Sequence, residues 1–261
     1  MIAKHLPLWA SAPLEALGWL LDGLESWQQA LERYQRFHGL DVTGELDDDT
    51  GAHLRAPRFC ALPDMMPVGA TLAKWPKSRL TYCITGWLPG VPREEQRAAF
   101  KTAWSLWSAV ADIGAIEVGD PRAADVVMGM RAIDGAFGVL AESELADGSN
   151  RQKRQWYDAG EHWAIGDTVP RGKLDLVRVA CHEIGHVLGL PHIGAGNLLA
   201  PTYSETVRKP QAGDIREIQS RYGPPKAPPI PPAPPSPPGP AAIILPATIR
   251  LEIDGTWKVL G

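Results

Sequence analysis

Residues 182–192, which read His182-Glu-Ile-Gly-His186-Val-Leu-Gly189-Leu-Pro-His192, decide the fold and the chemistry of this chain. His182 and His186 are four residues apart, so a helix places both imidazoles on one face. Gly189 can adopt the positive φ that ends a helix, and His192 then follows in the turn. The spacing predicts three histidines around one zinc ion, with the fourth position open as in catalytic zinc sites.

Glu183, next to the first histidine on the same helix, is the predicted general base. Zinc lowers the pKa of a bound water from about 15.7 to about 7. The carboxylate can take that water's proton during attack on a peptide carbonyl and pass it to the leaving amine. A core helix that happens to carry histidines is the alternative. A lone HExxH pattern leaves that alternative open, but the complete spacing HExxHxxGxxH favours a metal site.

Composition divides the 261 residues into five parts and predicts an α+β fold. These parts are a helical module (1–56), a Pro-rich connector (57–78), a mixed domain (79–223), a Pro-rich linker (224–240) and a short β-hairpin (241–261). In the mixed domain, hydrophobic periodicity predicts strands at 79–85, 124–130 and 137–141 and helices at 93–110, 174–188 and 212–222.

Charge and apolar content exclude several classes of partner. The net charge is −4 and no block of basic residues occurs, so we expect no nucleic-acid partner. No apolar run approaches the roughly 20 residues of a membrane-spanning helix. The three cysteines cannot all pair with one another, so each is treated as a single thiol. We expect a monomer. For residues 1–13 a cleaved leader and a folded segment both stay open.

The zinc motif and its surroundings resemble the metzincin endopeptidases, and within them the matrixins (matrix metalloproteinases and their relatives). The stretches that carry the resemblance are LTYCITGWLPGVP (80–92), ADVVMGM (124–130), GVLAES (138–143), GNLLAPTYSE (196–205) and DIREIQSRYG (214–223). The resemblance implies a twisted mixed sheet with long helices and zinc endopeptidase activity. It gives His182, His186 and His192 as zinc ligands and Glu183 as the base. Upstream, LERYQRFHGLDVTGELDDDT (31–50) is similar to the peptidoglycan-binding-like module of matrixin propeptides.

The stretch Pro57-Arg-Phe-Cys60-Ala-Leu-Pro-Asp64 resembles the cysteine-switch motif PRCGxPD of those propeptides. The resemblance implies that the Cys60 thiolate fills the fourth zinc position in a latent form, where it displaces the water that catalysis needs. Phe59 is an added residue and Ala61 replaces the usual Gly, which leaves open whether Arg58 still pairs with Asp64. An ordinary connector cysteine is the alternative for Cys60.

Other positions also depart from the family pattern. Leu199 stands where the family has the methionine of the turn beneath the zinc. Glu142 and Trp156 stand where histidines of a second, structural zinc are expected, so we predict one zinc only. Asp158 and Glu161 match a calcium-ligand pair, since carboxylates suit a hard cation. Solvated surface acids are the alternative for this pair.

Substrate binding is also predicted from the resemblance. An extended peptide would add as a strand along the edge formed by Gly138, Val139, Leu140 and Ala141. Pro201, Thr202 and Tyr203 would form the opposite wall and line the pocket for the side chain after the scissile bond. Plain loop packing is the alternative for both groups.

Three functions are compatible with these features. The first is a zinc endopeptidase of protein substrates, secreted or in the cell envelope as the resemblance implies, and latent through Cys60. The second is a cell-wall protein whose helical module binds peptidoglycan while the zinc domain is secondary. The third is an inactive metal-binding relative, which the intact Glu183 argues against.

Overall fold

A computed structural model describes residues 6–20, 26–66, 73–166, 168–226, 249–253 and 256–260. The chain divides into two units, Met1–Lys226 and Ala227–Gly261. In the second unit, β9 (Ile249–Ile253) pairs antiparallel with β10 (Thr256–Leu260). The linker predicted for 224–240 lies outside the described residues from position 227 onward.

The helical module consists of α1 (Leu8–Ala16), α2 (Trp27–His38) and α3 (Asp48–Leu54). A capping box of Ser26 with Gln29 starts α2, and Gly39 ends it with a φ of 71°. The apolar faces of the helices meet in a small core that contains Leu14, Trp19, Leu31 and Tyr34. Helix α1 begins at Leu8, within residues 1–13, for which a cleaved leader and a folded segment both stay open.

The mixed domain is built on a six-stranded sheet, to which the connector contributes one strand, in the order β1-β5-β6-β4-β2-β3. Its strands are β1 (Arg58–Cys60), β2 (Arg79–Ile84), β3 (Gly114–Glu117), β4 (Val126–Arg131), β5 (Val139–Ser143) and β6 (Lys153–Asp158). Strands β5 and β6 are antiparallel, and every other neighbouring pair is parallel. The predicted α+β fold with a mixed sheet is therefore confirmed.

Two long helices pack together, α4 (Arg93–Ser108) and α5 (Leu176–Val187). Trp107 of α4 donates its indole N–H to the Cys181 carbonyl of α5 over 2.8 Å. A short parallel pair, β7 (Trp163–Ala164) with β8 (Leu174–Asp175), precedes α5, and α6 (Ala212–Tyr222) closes the domain. None of the helices in the described part of the chain combines the length and the apolar character that a membrane crossing requires.

Two boundaries differ from the periodicity for identifiable reasons, and one strand was missed. The helix predicted from residue 174 begins at Leu176, because the Asp175 side chain accepts the Val177 N–H and caps it. The strand predicted from residue 137 begins at Val139, because Phe137 takes a φ of 66°, outside the β region. Strand β6 was not predicted, since its buried Lys153 gives no apolar signal; this lysine pairs with Asp147 over 2.7 Å.

Candidate zinc-binding active site

Four donor atoms converge beside α5. One atom each from Cys60, His182, His186 and His192 lies within 4.8 Å of the others, and all four residues are buried. The Nε2 atoms of His182 and His186 are 3.0 Å apart. The Cys60 Sγ lies 3.4 Å from His186 Nε2 and 3.3 Å from His192 Nε2. Three imidazoles and one thiol are a tetrahedral zinc ligand set, so these residues fit the metal.

The three histidines are oriented by the backbone. Each donates its Nδ1–H to a carbonyl, His182 to Leu198 (2.8 Å), His186 to Leu190 (2.8 Å) and His192 to Pro63 (3.0 Å). This bond fixes the tautomer and leaves the Nε2 lone pair free for a metal. The acceptor for His192 comes from the connector, whereas the other two acceptors belong to the catalytic domain.

Burial sets the ionisation of the cluster. It lowers the pKa of all three imidazoles, to about 4 for His186, so the rings are neutral as zinc ligands must be. Burial first, and the neighbouring Glu183 carboxylate second, raise the pKa of the Cys60 thiol. A divalent cation bound at the centre of the cluster would lower the pKa of the thiol and favour the thiolate.

Glu183 lies beside the cluster and is fully buried. Its Oε2 accepts a hydrogen bond from Ser143 Oγ over 2.7 Å. Among the described residues none donates to its Oε1, which is also buried. Burial raises the pKa of this carboxyl to about 8, against the lowering effect of the Ser143 hydrogen bond. The arrangement provides a proton acceptor with one oxygen available.

The turn after α5 brings His192 to the cluster. Gly189 has a φ of 91°, and its N–H donates to the His186 carbonyl over 2.8 Å. The next N–H, of Leu190, donates to the Gly185 carbonyl over 3.0 Å, so the helix end is satisfied. A Cβ at position 189 would lie 2.0 Å from the Ala73 carbonyl oxygen.

Replacing Gly189 by Ala should therefore lower the free energy of unfolding by about 2–5 kcal/mol. This value is the sum of the cost of a left-handed backbone conformation and the cost of the steric clash. The matched control is Gly90→Ala, because Gly90 also has a positive φ, of 76°, but no atom lies within 4 Å of its added Cβ. We expect the control to lose only about 1–2 kcal/mol. Urea denaturation of the full-length zinc-loaded proteins measures both values, and equal losses would contradict the clash.

Leu199, predicted beneath the zinc, is fully buried under α5. An added Cβ at Gly185 would lie 2.7 Å from Leu199 Cδ2, which shows how closely this side chain approaches the helix. Asp214 of α6 holds the turn by accepting the backbone N–H groups of Leu198 and Leu199. The turn thus places the apolar Leu199 side chain directly against the helix that carries His182 and His186.

Strand β1 lies between the two predicted walls of the substrate cleft. It pairs parallel with β5, with Arg58 opposite Val139 and Cys60 opposite Ala141. Next to the pair of Arg58 and Val139, the Arg58 N–H donates to the Gly138 carbonyl over 3.1 Å. The edge predicted to bind substrate (Gly138, Val139, Leu140 and Ala141) is therefore occupied by the connector.

The opposite wall (Pro201, Thr202 and Tyr203) contacts the same connector strand. Phe59 donates its N–H to the Pro201 carbonyl over 2.9 Å, and Tyr203 donates its N–H to the Pro57 carbonyl over 3.1 Å. Arg58 and Thr202 form an isolated antiparallel bridge. The structure therefore brings the two predicted groups of residues together around β1.

The added residue Phe59 fills the space between the cluster and this wall. Its ring stacks on His182, with centroids 4.3 Å apart and an interplanar angle of 11°. The centroid of the Tyr203 ring lies 5.1 Å away. The insertion of Phe59 does not displace the pairing of Arg58 with Asp64, which the sequence left open. These two residues form an ion pair.

Asp64 connects the connector to the helical module. Its buried carboxylate accepts the indole N–H of Trp19 over 2.8 Å and lies 3.2 Å from His38 Nε2. Together with the ion pair to Arg58, these contacts hold Asp64 in place. The preceding residue, Pro63, supplies the carbonyl that accepts the hydrogen bond from His192. Sequence reasoning missed Trp19 and His38, since their distance along the chain from Asp64 gives no signal.

Asp158 and Glu161 are buried, so the alternative of solvated surface acids is wrong. The Asp158 carboxylate accepts backbone N–H groups from Ile133, Asp134, Gly135 and Gly160. Glu161 accepts the Phe137 N–H on Oε1 over 2.6 Å. Its other oxygen, Oε2, is buried and has no donor among the described residues. Calcium binding here stays a prediction.

The positions of the expected structural-zinc histidines carry a different set of contacts. Glu142 and Trp156 are paired across β5 and β6. Arg131 forms an ion pair with Glu142, and its guanidinium lies 5.6 Å from the Trp156 ring centroid. A cationic side chain therefore lies where these residues meet. The absence of a second zinc stays a prediction.

Arg178 of α5 is a further residue at the cleft that sequence reasoning missed. Its guanidinium donates to the Tyr203 hydroxyl over 3.2 Å, and to the carbonyls of Ser204 and Glu205 over 2.6 and 2.8 Å. It thereby holds the wall segment against the active-site helix. A single arginine among the apolar residues of the first turns of α5 was its only signal in the sequence.

Comparison with known proteins agrees with this geometry. Residues 74–223 match the family model described as matrixin, and residues 24–54 match that of a peptidoglycan binding domain. Matrix metalloproteinase-C of Caenorhabditis elegans is 31% identical over 220 residues, which cover 76% of this chain and 37% of that protein. Interstitial collagenase of Bos taurus is 34% identical over 212 residues (77% of this chain, 44% of the relative), and that of Sus scrofa is 33% identical.

The chain spans less than half the length of these relatives. The matrixin match alone includes more than half of the chain and contains the three histidines and Glu183. The chain belongs to the matrixin family of zinc metallopeptidases.

Proposed function

We propose that this protein is a zinc-dependent endopeptidase that its own N-terminal segment keeps latent. The observation that carries the proposal is the convergence of three neutral imidazoles, one thiol and a buried carboxylate in a cleft already filled by an extended strand. When bound, zinc supplies a Lewis acid that activates water and polarises the scissile carbonyl. His182, His186 and His192 would hold it.

Glu183 acts as the general base in this proposal. Its carboxylate accepts a proton from the attacking water and delivers it to the amine nitrogen of the leaving peptide. Burial supports the role, because it keeps water away from the carboxylate, whose Oε1 has no donor among the described residues and is available to a proton. The substrate would be a protein or peptide in extended form, bound along β5 where β1 now lies.

Cys60 provides latency. Its Sγ lies 3.3 and 3.4 Å from two histidine Nε2 atoms, so the thiolate would complete the donor set of a bound zinc. A thiolate in that role would take the place of the water that catalysis needs. Strand β1 excludes the substrate at the same time, because its backbone already forms hydrogen bonds with backbone groups of both cleft walls.

The helical module acts as the scaffold of the connector. Trp19 and His38 both contact Asp64, so the core of the module is joined directly to the segment that carries Cys60. The rival function, a peptidoglycan-binding protein with a secondary zinc domain, is not favoured by these contacts. Peptidoglycan as a partner of the module rests on the family resemblance of residues 24–54.

Calcium is proposed as a second, structural cofactor. The buried Oε2 of Glu161 accepts no hydrogen bond from the described residues, and Asp158 is buried as well. Oxygen ligands of this kind suit a hard cation. A secreted or cell-envelope location is proposed from the matrixin resemblance.

Removal of the metal tests the proposal. Full-length protein carrying Cys60→Ala, which lacks the thiol, should cleave a quenched fluorescent peptide library. A zinc chelator should abolish the cleavage, and added zinc should restore it. Circular dichroism is the control and should show that the chelated protein stays folded. Cleavage that persists after zinc is removed, or the absence of cleavage by zinc-loaded protein across the library, would contradict the proposal.

A further inference from the structure

A hydrogen bond joins strand β5, which carries the predicted substrate edge, to the predicted base. Ser143, the last residue of β5, lies with its Oγ 2.7 Å from Glu183 Oε2. We propose that Ser143 is a positioning residue for Glu183, holding one carboxylate oxygen so that the other faces the attacking water. The inference rests on the proposed function, because it assigns Ser143 a part in the reaction of Glu183.

The direction of this hydrogen bond is fixed by two residues behind it. Gln155 donates its Nε2–H to Ser143 Oγ over 3.1 Å. Tyr157 in turn donates its hydroxyl to Gln155 Oε1 over 3.4 Å. An amide nitrogen only donates, and a serine hydroxyl has a single proton. That proton therefore points to Glu183, where the carboxylate Oε2 at 2.7 Å is the nearer acceptor and the backbone carbonyl at 3.3 Å the farther one. The chain of donors thus runs from Tyr157 to the carboxylate.

The surroundings keep this chain in place. Gln155, Tyr157 and Glu183 are fully buried, so water does not compete for their hydrogen bonds. Glu183 Oε2 is committed to Ser143, whereas Oε1 is buried and has no donor among the described residues. A carboxylate held by one oxygen in this way keeps the other oxygen in one orientation, which proton transfer requires.

Ser143 also links the base to the substrate edge. Strand β5 contributes Val139 and Ala141 to the pairing with β1, and Ser143 lies two residues beyond Ala141 on the same strand. The orientation of Glu183 is therefore defined relative to the strand along which the peptide is proposed to bind. A hydroxyl that served packing alone would carry no such relation to the reaction.

Kinetics of the full-length chain in the Cys60→Ala background test the inference. Ser143→Ala should lower kcat about tenfold and leave KM unchanged, because the lost contact acts in the transition state. Ser143→Thr keeps the hydroxyl and should restore most of kcat. Ser105→Ala is the matched control, since the Ser105 hydroxyl is exposed on α4 and bonds only its own helix. Zinc content should be equal in all four proteins, and thermal unfolding should show that each of them is folded at the assay temperature.

A measurement without turnover separates this inference from the proposed function. In crystal structures of the latent full-length chain, Ser143→Ala should leave the Glu183 carboxylate rotated from its wild-type orientation or in several orientations. An unchanged Glu183 orientation would overturn the inference whether or not the chain cleaves peptides. An unchanged kcat in active protein, or a loss confined to KM, would also overturn it. Failure of the Cys60→Ala protein to cleave any peptide concerns the proposed function alone.

Discussion

Replacing Glu183 by Gln should lower kcat by about three powers of ten, within the range of about 10²–10⁴ that general acid–base catalysis contributes. Gln has nearly the same shape, and its amide oxygen can still accept the Ser143 hydroxyl that now bonds Oε2. It cannot, however, take a proton from water. Because Glu183 is not one of the four clustered metal donors, zinc content should stay at one ion per chain.

The measurement compares kcat and bound zinc for full-length Cys60→Ala protein with and without Glu183→Gln. Glu95→Gln is the matched control, because Glu95 is exposed in the first turn of α4 and lies outside the cleft. The control should retain full activity. If the Glu183→Gln protein kept more than a tenth of the activity with zinc bound, another group would have to be the base.

The second large effect concerns latency. Cys60→Ala should raise the chelator-sensitive activity of the full-length chain about a hundredfold, which corresponds to about 2.7 kcal/mol of lost preference for the closed state. The rise should stay below that of complete release, because β1 still pairs with β5 through its backbone. Initial rates on one fluorescent peptide, at equal zinc content, measure the ratio.

Cys83→Ala controls for the loss of a buried thiol. Cys83 is a free, buried cysteine like Cys60, but it lies on β2 and outside the metal cluster. We expect its replacement to leave the activity of the full-length chain as low as in the wild type. Equal activities of wild-type and Cys60→Ala proteins would retain the protease and remove Cys60 from its regulation.

The zinc cluster could be predicted from the sequence because its geometry is local. Helical spacing places His182 beside His186, and Gly189 determines where the chain turns, so His192 follows without knowledge of the rest of the fold. Cys60 is different, since its role was taken from the resemblance of a short motif and not from spacing to the histidines.

Contacts between distant residues could not be predicted. The bonds of Trp19 and His38 to Asp64 span 45 and 26 residues. The bond from Ser143 to Glu183 spans 40 residues. No periodicity encodes such pairs, because they depend on how separate elements dock. The left-handed Phe137 gave no signal either, since a bulky residue rarely adopts this conformation.

The strand that fills the cleft belongs to the same polypeptide as the cleft, so its concentration near the cleft does not depend on the concentration of the protein. A tethered inhibitor meets its target at an effective concentration of about millimolar, whatever the dilution of the protein. One cut in the chain between Cys60 and the catalytic domain makes the same encounter bimolecular. At nanomolar protein the freed peptide would then be about a millionfold more dilute than when it was attached. A single cleavage therefore acts as a one-way step, although every contact of the closed state could in principle form again.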